Sequence, residues 1–131
     1  MSHRNEDMIR NNYEAFTRGD AKPLLDSLSE DIQWHVSGQS PIAGDYFGKA
    51  KVLEFFAGMM DLYQGTLRLQ ILDVMANDHH GAVLTSESAI YRGKTLEFQA
   101  VHVWDIDNGK LARFHVYNND AYHKFWSEES A

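Results

Sequence analysis

The chain of 131 residues is 44% hydrophobic and 24% charged, with 2 prolines and 9 glycines. That fits one domain with a single core and excludes a collagenous, low-complexity or disordered polypeptide. With 12 Lys+Arg against 19 Asp+Glu the formal charge is −7 and the pI near 5.4, so the field of the whole molecule repels phosphate backbones and anionic lipid, and neither nucleic acid nor membrane is expected as a partner. The absence of cysteine removes disulfides, thiolate zinc sites, iron–sulfur clusters and cysteine nucleophiles; it leaves the compartment open, and an ordinary cytosol suits it. The N-terminal run MSHRNEDMIRNNYEAF has no apolar core of a signal peptide, and no stretch approaches the ~18 apolar residues of a membrane span. A soluble, cytoplasmic protein is expected.

From Glu6 to Arg18, Ile9, Tyr13 and Phe16 recur at helical spacing, with Gly19 where a helix-terminating glycine stands. Asp20 is placed to cap a short second helix with Pro23 in its first turn and Leu24, Leu25 and Leu28 on one stripe. Ile32 to Val36 alternates as a strand with Ile32, Trp34 and Val36 inward. Ser37 to Gly48, with three glycines and a proline, reads as a long irregular loop able to cover a site. Val52, Phe55, Phe56, Met59, Met60 and Tyr63 then follow the pattern of a third amphipathic helix ending near Gly65. Beyond Gly65 come four strands, roughly Thr66–Met75, Ala82–Tyr91, Thr95–Asp105 and Lys110–Asn118, separated by Asn77–Gly81, Arg92-Gly93 and Asp107-Asn108-Gly109. The period slips at Ile71-Leu72 as at a bulge. Helices first and a curved antiparallel meander afterwards predict an α+β cone, the three helices packed on the concave face of the sheet.

This order of elements, together with YEAFTRGD at Tyr13–Asp20, LSEDIQWHVSG at Leu28–Gly38, SPIAGDYFGKAKVLEFF at Ser40–Phe56, VHVWDIDNGKLARF at Val101–Phe114 and NDAYHKFW at Asn119–Trp126, resembles the nuclear transport factor 2-like superfamily. The nearest branch is the SnoaL-like one, related to ketosteroid isomerases, and the match runs nearly end to end as one domain, 1–131. The resemblance implies a cone that hosts isomerases, polyketide cyclases, epoxide hydrolases and dehydratases as well as non-catalytic binding or docking domains, so the fold does not select a function.

Among Leu96, Phe98, Ala100, His102, Trp104 and Ile106 only His102 breaks an apolar face, so its imidazole is expected in the core or a pocket. By the resemblance, counted from Gly93, His102 matches the position of the oxyanion-stabilising acid of ketosteroid isomerases. It could donate to a developing enolate or act as a base; the alternative is a buried neutral histidine bonded to a neighbour. Asp120 lies near where SnoaL-like cyclases keep a catalytic aspartate, and equally where a residue would cap a terminal helical turn from Ala121 to Trp126. The isomerase's general-base aspartate would fall at Val36 or Ser37 and its first-helix tyrosine at Asn12, beside Tyr13, so that machinery is not present as such. Glu87 shares parity with Thr85, Ala89 and Tyr91 on the implied pocket face, but Leu84, Ser86, Ser88 and Ile90 compete for it.

Taken with the resemblance, these residues imply a cofactor-independent enzyme of the isomerase or cyclase type, in which an apolar pocket holds a carbonyl-bearing, cyclic or polyketide-like molecule while His102 and Asp120 handle protons. Phe16, Trp34, Phe55, Phe56, Phe98, Trp104 and Phe114 form the walls, with Tyr13 and Met59 on the helices and Val116 and Asn118 on the inward face of the last strand. Tyr46 is either a lid residue or a packing residue. His35 is expected on the outer face and His79-His80 in a solvated turn. No cofactor and no metal is expected: there is no phosphate loop, no GxSxG elbow and no HExxH. A non-catalytic module binding a hydrophobic ligand or docking a protein is the rival reading. Val101, Val103, His115 and Tyr117 make the outer sheet face apolar enough to predict a homodimer through it.

Overall fold

The computed structural model describes residues 3–130, arranged as four helices and six strands. Helix α1 (Arg4–Thr17) is capped by His3, whose Nδ1 accepts from the Asn5 amide, and ends at Arg18 and Gly19. There the Asp20 amide returns to the Ala15 carbonyl and the Gly19 amide to that of Phe16, a closure that requires the positive φ of Gly19. Helix α2 (Lys22–Ser27) carries Pro23 in its first turn as expected, but Ala21 holds the cap position, and Asp20 accepts from the Lys22 amide from one residue further out.

Strand β1 (Leu28–Val36) leads into a segment that departs from expectation. Residues 37–48 are not one irregular loop, because Gly44–Phe47 forms a short strand, β2, paired antiparallel to β1 with Val36 opposite Gly44 and Gln33 opposite Phe47. A leading glycine and no alternation hide a four-residue strand from a periodicity reading; its order comes from the open edge of β1. Helix α3 (Lys49–Tyr63) follows, and then β3 (Arg68–Ala76), β4 (His80–Tyr91), β5 (Lys94–Asp107) and β6 (Lys110–Asn118).

The sheet order is β2-β1-β6-β5-β4-β3, antiparallel throughout except that β1 runs parallel to β6. Two hairpins turn on paired left-handed residues, Arg92-Gly93 and Asn108-Gly109, the geometry of tight two-residue turns that matches strand twist. The register slips between Ile71 and Asp73, so Leu72 is the extra residue and the predicted bulge is present. Strands β4 and β5, 12 and 14 residues long, curl around the helices, and the concave side forms the core. The C-terminal stretch is more than a helical turn. Asp120–Glu129 forms a fourth helix, α4, that buries Tyr122 and Trp126 against Leu96, Phe98 and Tyr63, closing the end of the cone that the three expected helices leave open. No helix among the described residues is long and apolar enough to cross a membrane.

Helix α1 lies close on the sheet because Gly81 lets it. A Cβ built there would overlap the Ile9 Cδ1, and Ile9 is wholly buried. Gly81→Ala should therefore cost about 1–3 kcal/mol of stability by overpacking, and Ile9→Val alone about 0.5–1.5 kcal/mol. The double variant, which removes the clashing methyl, should lose less than the sum. Urea denaturation of the three variants measures this coupling, and strict additivity would show that α1 does not seat on Gly81.

Candidate functional site

The inward faces of β4 and β5 bring Thr85, Glu87, Ala100, His102 and Trp104 to the concave side, because Thr85 pairs with Ala100 and Glu87 with Phe98 across the two strands. The competing parity of Leu84, Ser86 and Ser88 is the outer one. Helix α1 presents Tyr13 to the same place. The result is a chain of hydrogen bonds inside an apolar shell. Trp104 Nε1 donates to the Tyr13 hydroxyl at 3.0 Å, Tyr13 Oη lies 2.6 Å from His102 Nδ1, His102 Nε2 lies 3.1 Å from Glu87 Oε2, and Thr85 Oγ1 donates to the same carboxylate oxygen at 2.7 Å. Tyr13, Thr85, Glu87 and His102 are all buried.

The best-defined proton in this chain is the one on Tyr13. Burial pushes the Tyr13 phenol well above its ordinary range; the Trp104 hydrogen bond opposes the shift and the Glu87 charge reinforces it. The hydroxyl therefore keeps its proton, and its one acceptor in the chain is His102 Nδ1. With that proton on Tyr13, Nδ1 is the nitrogen placed to accept and Nε2 the one placed to donate to Glu87 Oε2. Glu87 Oε2 receives both Thr85 and His102, and the Tyr13 oxygen links Trp104 to His102.

Beside this chain lies a cavity of about 90 Å³. Of the predicted residues, Tyr13, Phe16, Trp34, Phe55, Phe56 and Met59 line it from α1, β1 and α3. Glu87, Phe98, His102, Trp104, Phe114, Val116 and Asn118 line it from the sheet. The walls hold one another in place: Trp34 stacks on Phe114 with centroids 4.0 Å apart and meets Trp104 edge-on at 5.6 Å.

Two predicted residues stand elsewhere. Asp120 is exposed in the first turn of α4, after the cap residue Asn119, and does not line the cavity, so the expected His102–Asp120 pair is not assembled. Its place beside the helix N-terminus accounts for an acidic residue there through the helix dipole. Glu87 supplies the carboxylate instead. Tyr46 does not line the cavity either; its hydroxyl donates to the Ile42 carbonyl at 2.8 Å and its ring packs on Phe55, so it braces the wall from behind. Asn12, the position counted against the isomerase tyrosine, turns away and donates to Ser27 Oγ, while its neighbour Tyr13 faces the site.

Sequence reasoning missed Leu24, Val36, Ile42, Tyr63, Leu67, Leu69 and Tyr122 among the lining residues. Tyr63 lay on the predicted stripe of α3, a signal that could have found it; Tyr122 depended on α4 folding back. His35 faces outward as expected, 2.6 Å from Asp45 Oδ1 and with its ring 4.6 Å from that of His115. Among the described residues no three His, Cys, Asp or Glu side chains gather as a cation site would.

A bent, unclosed sheet wrapped over helices around a lined interior defines the nuclear transport factor 2-like class of α+β proteins. Within it the chain belongs to the SnoaL-like domain family, whose model matches residues 9–114. It is similar to the uncharacterised protein Rv0034 of Mycobacterium tuberculosis strain H37Rv, 26% identical over 129 residues covering 92% of this chain and 95% of that one. Among solved structures it is similar to Bal32a from a soil-derived mobile gene cassette, at 29% identity and a TM-score of 0.84 over 93% of this chain and 95% of that one. A protein of unknown function with a cystatin-like fold from Xanthomonas campestris also matches at a TM-score of 0.84, with 26% identity over 96% of this chain and 98% of its own.

Burial also raises the phenol pKa values of Tyr63 and Tyr122. Above the ordinary value of 10.0, the unfolded chain has released these protons and that of Tyr13 while the folded state retains them, so stability is full below pH 10 and falls as pH rises toward the folded values. An alkaline titration followed by tyrosinate absorbance and far-ultraviolet circular dichroism should show part of the absorbance rising only as ellipticity is lost. Complete tyrosine ionisation in the folded protein would contradict the buried assignment.

Proposed function

We propose that the protein is a cytoplasmic, homodimeric acid–base enzyme of the isomerase or cyclase type, acting without a cofactor on a hydrophobic carbonyl-bearing molecule, cyclic or polyketide-like. The observation that carries this reading is the Tyr13–His102–Glu87 series on the wall of an apolar cavity. A substrate carbonyl entering beside Tyr13 takes over its hydroxyl proton as a hydrogen bond, which frees His102 Nδ1 2.6 Å away. Nδ1 accepts the proton from the carbon next to the carbonyl. The C–H electron pair moves into the enolate, whose oxygen is held by Tyr13, and the imidazolium is held by the Glu87 carboxylate at Nε2. Return of the same proton to another carbon completes an isomerisation and restores the neutral histidine. Attack of the enolate carbon on a second carbonyl, which then receives the proton on its oxygen, completes a cyclisation.

The test is isomerisation of β,γ-cyclohexenone to its conjugated isomer, together with solvent deuterium uptake followed by NMR. His102→Gln should lower the rate by about 10²-fold and Tyr13→Phe by roughly 10²–10³-fold, with circular dichroism unchanged. Glu87→Gln, acting through His102, should lower kcat with KM held. A rate no higher than in buffer, or one indifferent to His102, would remove the catalytic reading.

One observation favours the alternative of a non-catalytic ligand-binding module: each residue of the polar series has a hydrogen-bond partner within the protein, as in a structural network. Binding of the probe without proton exchange would select it.

The dimer is supported by the outer face of the sheet, where Phe47 and Tyr117 are more than half exposed beside Val101 and Val103. Light scattering at micromolar concentration should give about twice the chain mass of 15.0 kDa, and a mass near the monomer's throughout would exclude it.

A further inference from the structure

The inner cavity, at about 90 Å³, is smaller than the ~300–1,000 Å³ that ligand sites occupy, so a metabolite touching His102 must extend out of it. A second chamber of about 370 Å³ adjoins it, and Phe16, Phe56, Met59, Tyr63, Leu67 and Leu69 line both. Together the two spaces fall within the range of ligand sites. Their chemistry differs in a way that sets direction. The inner wall carries the Glu87 carboxylate. The outer wall carries Thr17 and a single charged residue, Arg68, on an otherwise apolar or glycine lining.

Arg68 is held in place at this mouth. Its Nη1 donates to the carbonyls of Gly65 and Leu67, both at 3.0 Å, and none of the described ion pairs involves it. The fork keeps N–H donors on Nε and Nη2 for a planar anion. Arg68 also borders a third space with Glu87 and Glu97, but neither carboxylate forms an ion pair with it, so on a protein of net charge −7 it is the complementary point for an anionic group. The reverse orientation would bury the anion beside Glu87 in a low-dielectric wall, which is strongly unfavourable. Flexible Met59 and the exposed Met60 make the rim adaptable in width.

We propose that the two chambers form one binding site for an elongated, anionic amphiphile, its apolar end against the His102 series and its anionic end at Arg68. This rests on the inner cavity being a ligand site, as proposed above, and is independent of any catalysis there. The probes are decanoate and decanol, which share a tail and differ in the charged end. Binding is read by calorimetry and by quenching of Trp34 and Trp104, which line the inner cavity.

Decanoate should bind about 5-fold tighter than decanol, the scale of one solvent-exposed ion pair. The preference should shrink at high salt and vanish in Arg68→Gln, with part of it retained in Arg68→Lys, while decanol affinity stays constant across all three proteins. Equal affinities in the wild type, a preference that survives Arg68→Gln, or failure of both probes to bind would overturn the proposal. Loss of cyclohexenone turnover in His102→Gln is read separately, so a failed anion preference leaves the catalytic reading standing, and an inert relay with an intact preference removes only catalysis.

Discussion

The structure depends on a run of polar groups largely shielded from water. Trp104, Tyr13, His102, Glu87 and Thr85 lie in an apolar interior, and each would carry a penalty of about 1–3 kcal/mol if left without a partner. They come from different parts of the chain: Tyr13 from α1, Thr85 and Glu87 from β4, His102 and Trp104 from β5. Satisfying them fixes the position of α1 over the sheet and the register of β4 against β5 at once. A slip of one residue in that register would turn Glu87 outward and leave the imidazole facing hydrocarbon.

That constraint explains why the seat of α1 is so close. Tyr13 reaches His102 only if the helix approaches the strands, and the missing side chain at Gly81 gives Ile9 the room to do so. Curvature does the rest. The extra residue at Leu72 bends the edge strand β3 around the helices, and the long β4 and β5 follow, so that aromatic side chains from opposite ends of the chain meet. Trp34 from β1 stacks on Phe114 from β6 and packs against Phe55 and Phe56 from α3. Two clusters form: one around Trp104 beneath α1 and α3, the other around Trp126 beneath α4. The cavity lies where side chains of both clusters converge.

The same arrangement gives the interior its chemical character. A single carboxylate, held by a threonine and a histidine, is tolerated because its charge is spread into hydrogen bonds. The phenol that faces the histidine stays protonated for the same reason that the cavity is apolar: burial penalises the charged form. A protonated phenol next to an imidazole nitrogen, with a carboxylate on the other ring nitrogen, places the proton-bearing groups in contact inside an apolar wall.

Much of this was legible in one dimension. Alternation placed His102 among Phe98, Ala100 and Trp104, and the only way to bury that face was to bury the imidazole with it. Helical spacing put Tyr13 and Phe16 on the inner side of α1, and the broken period at Ile71-Leu72 marked the bulge. What stayed hidden were relations between distant segments. Glu87 had two possible faces because serines and short apolar residues alternate without contrast on β4, and only pairing with β5 decided between them. Asp120 had the right residue type at a plausible position, but the direction of α4 is set by Tyr122 and Trp126 seeking cover, and that turns Asp120 into solvent. The short strand β2 exists because β1 has a free edge, which its own residues do not announce. Local pattern thus determined which side chains must be buried, since period and hydrophobicity act between neighbours. The tertiary structure alone decided which buried polar groups would be partners, because a hydrogen bond across 15 or 89 residues depends on where the whole sheet bends.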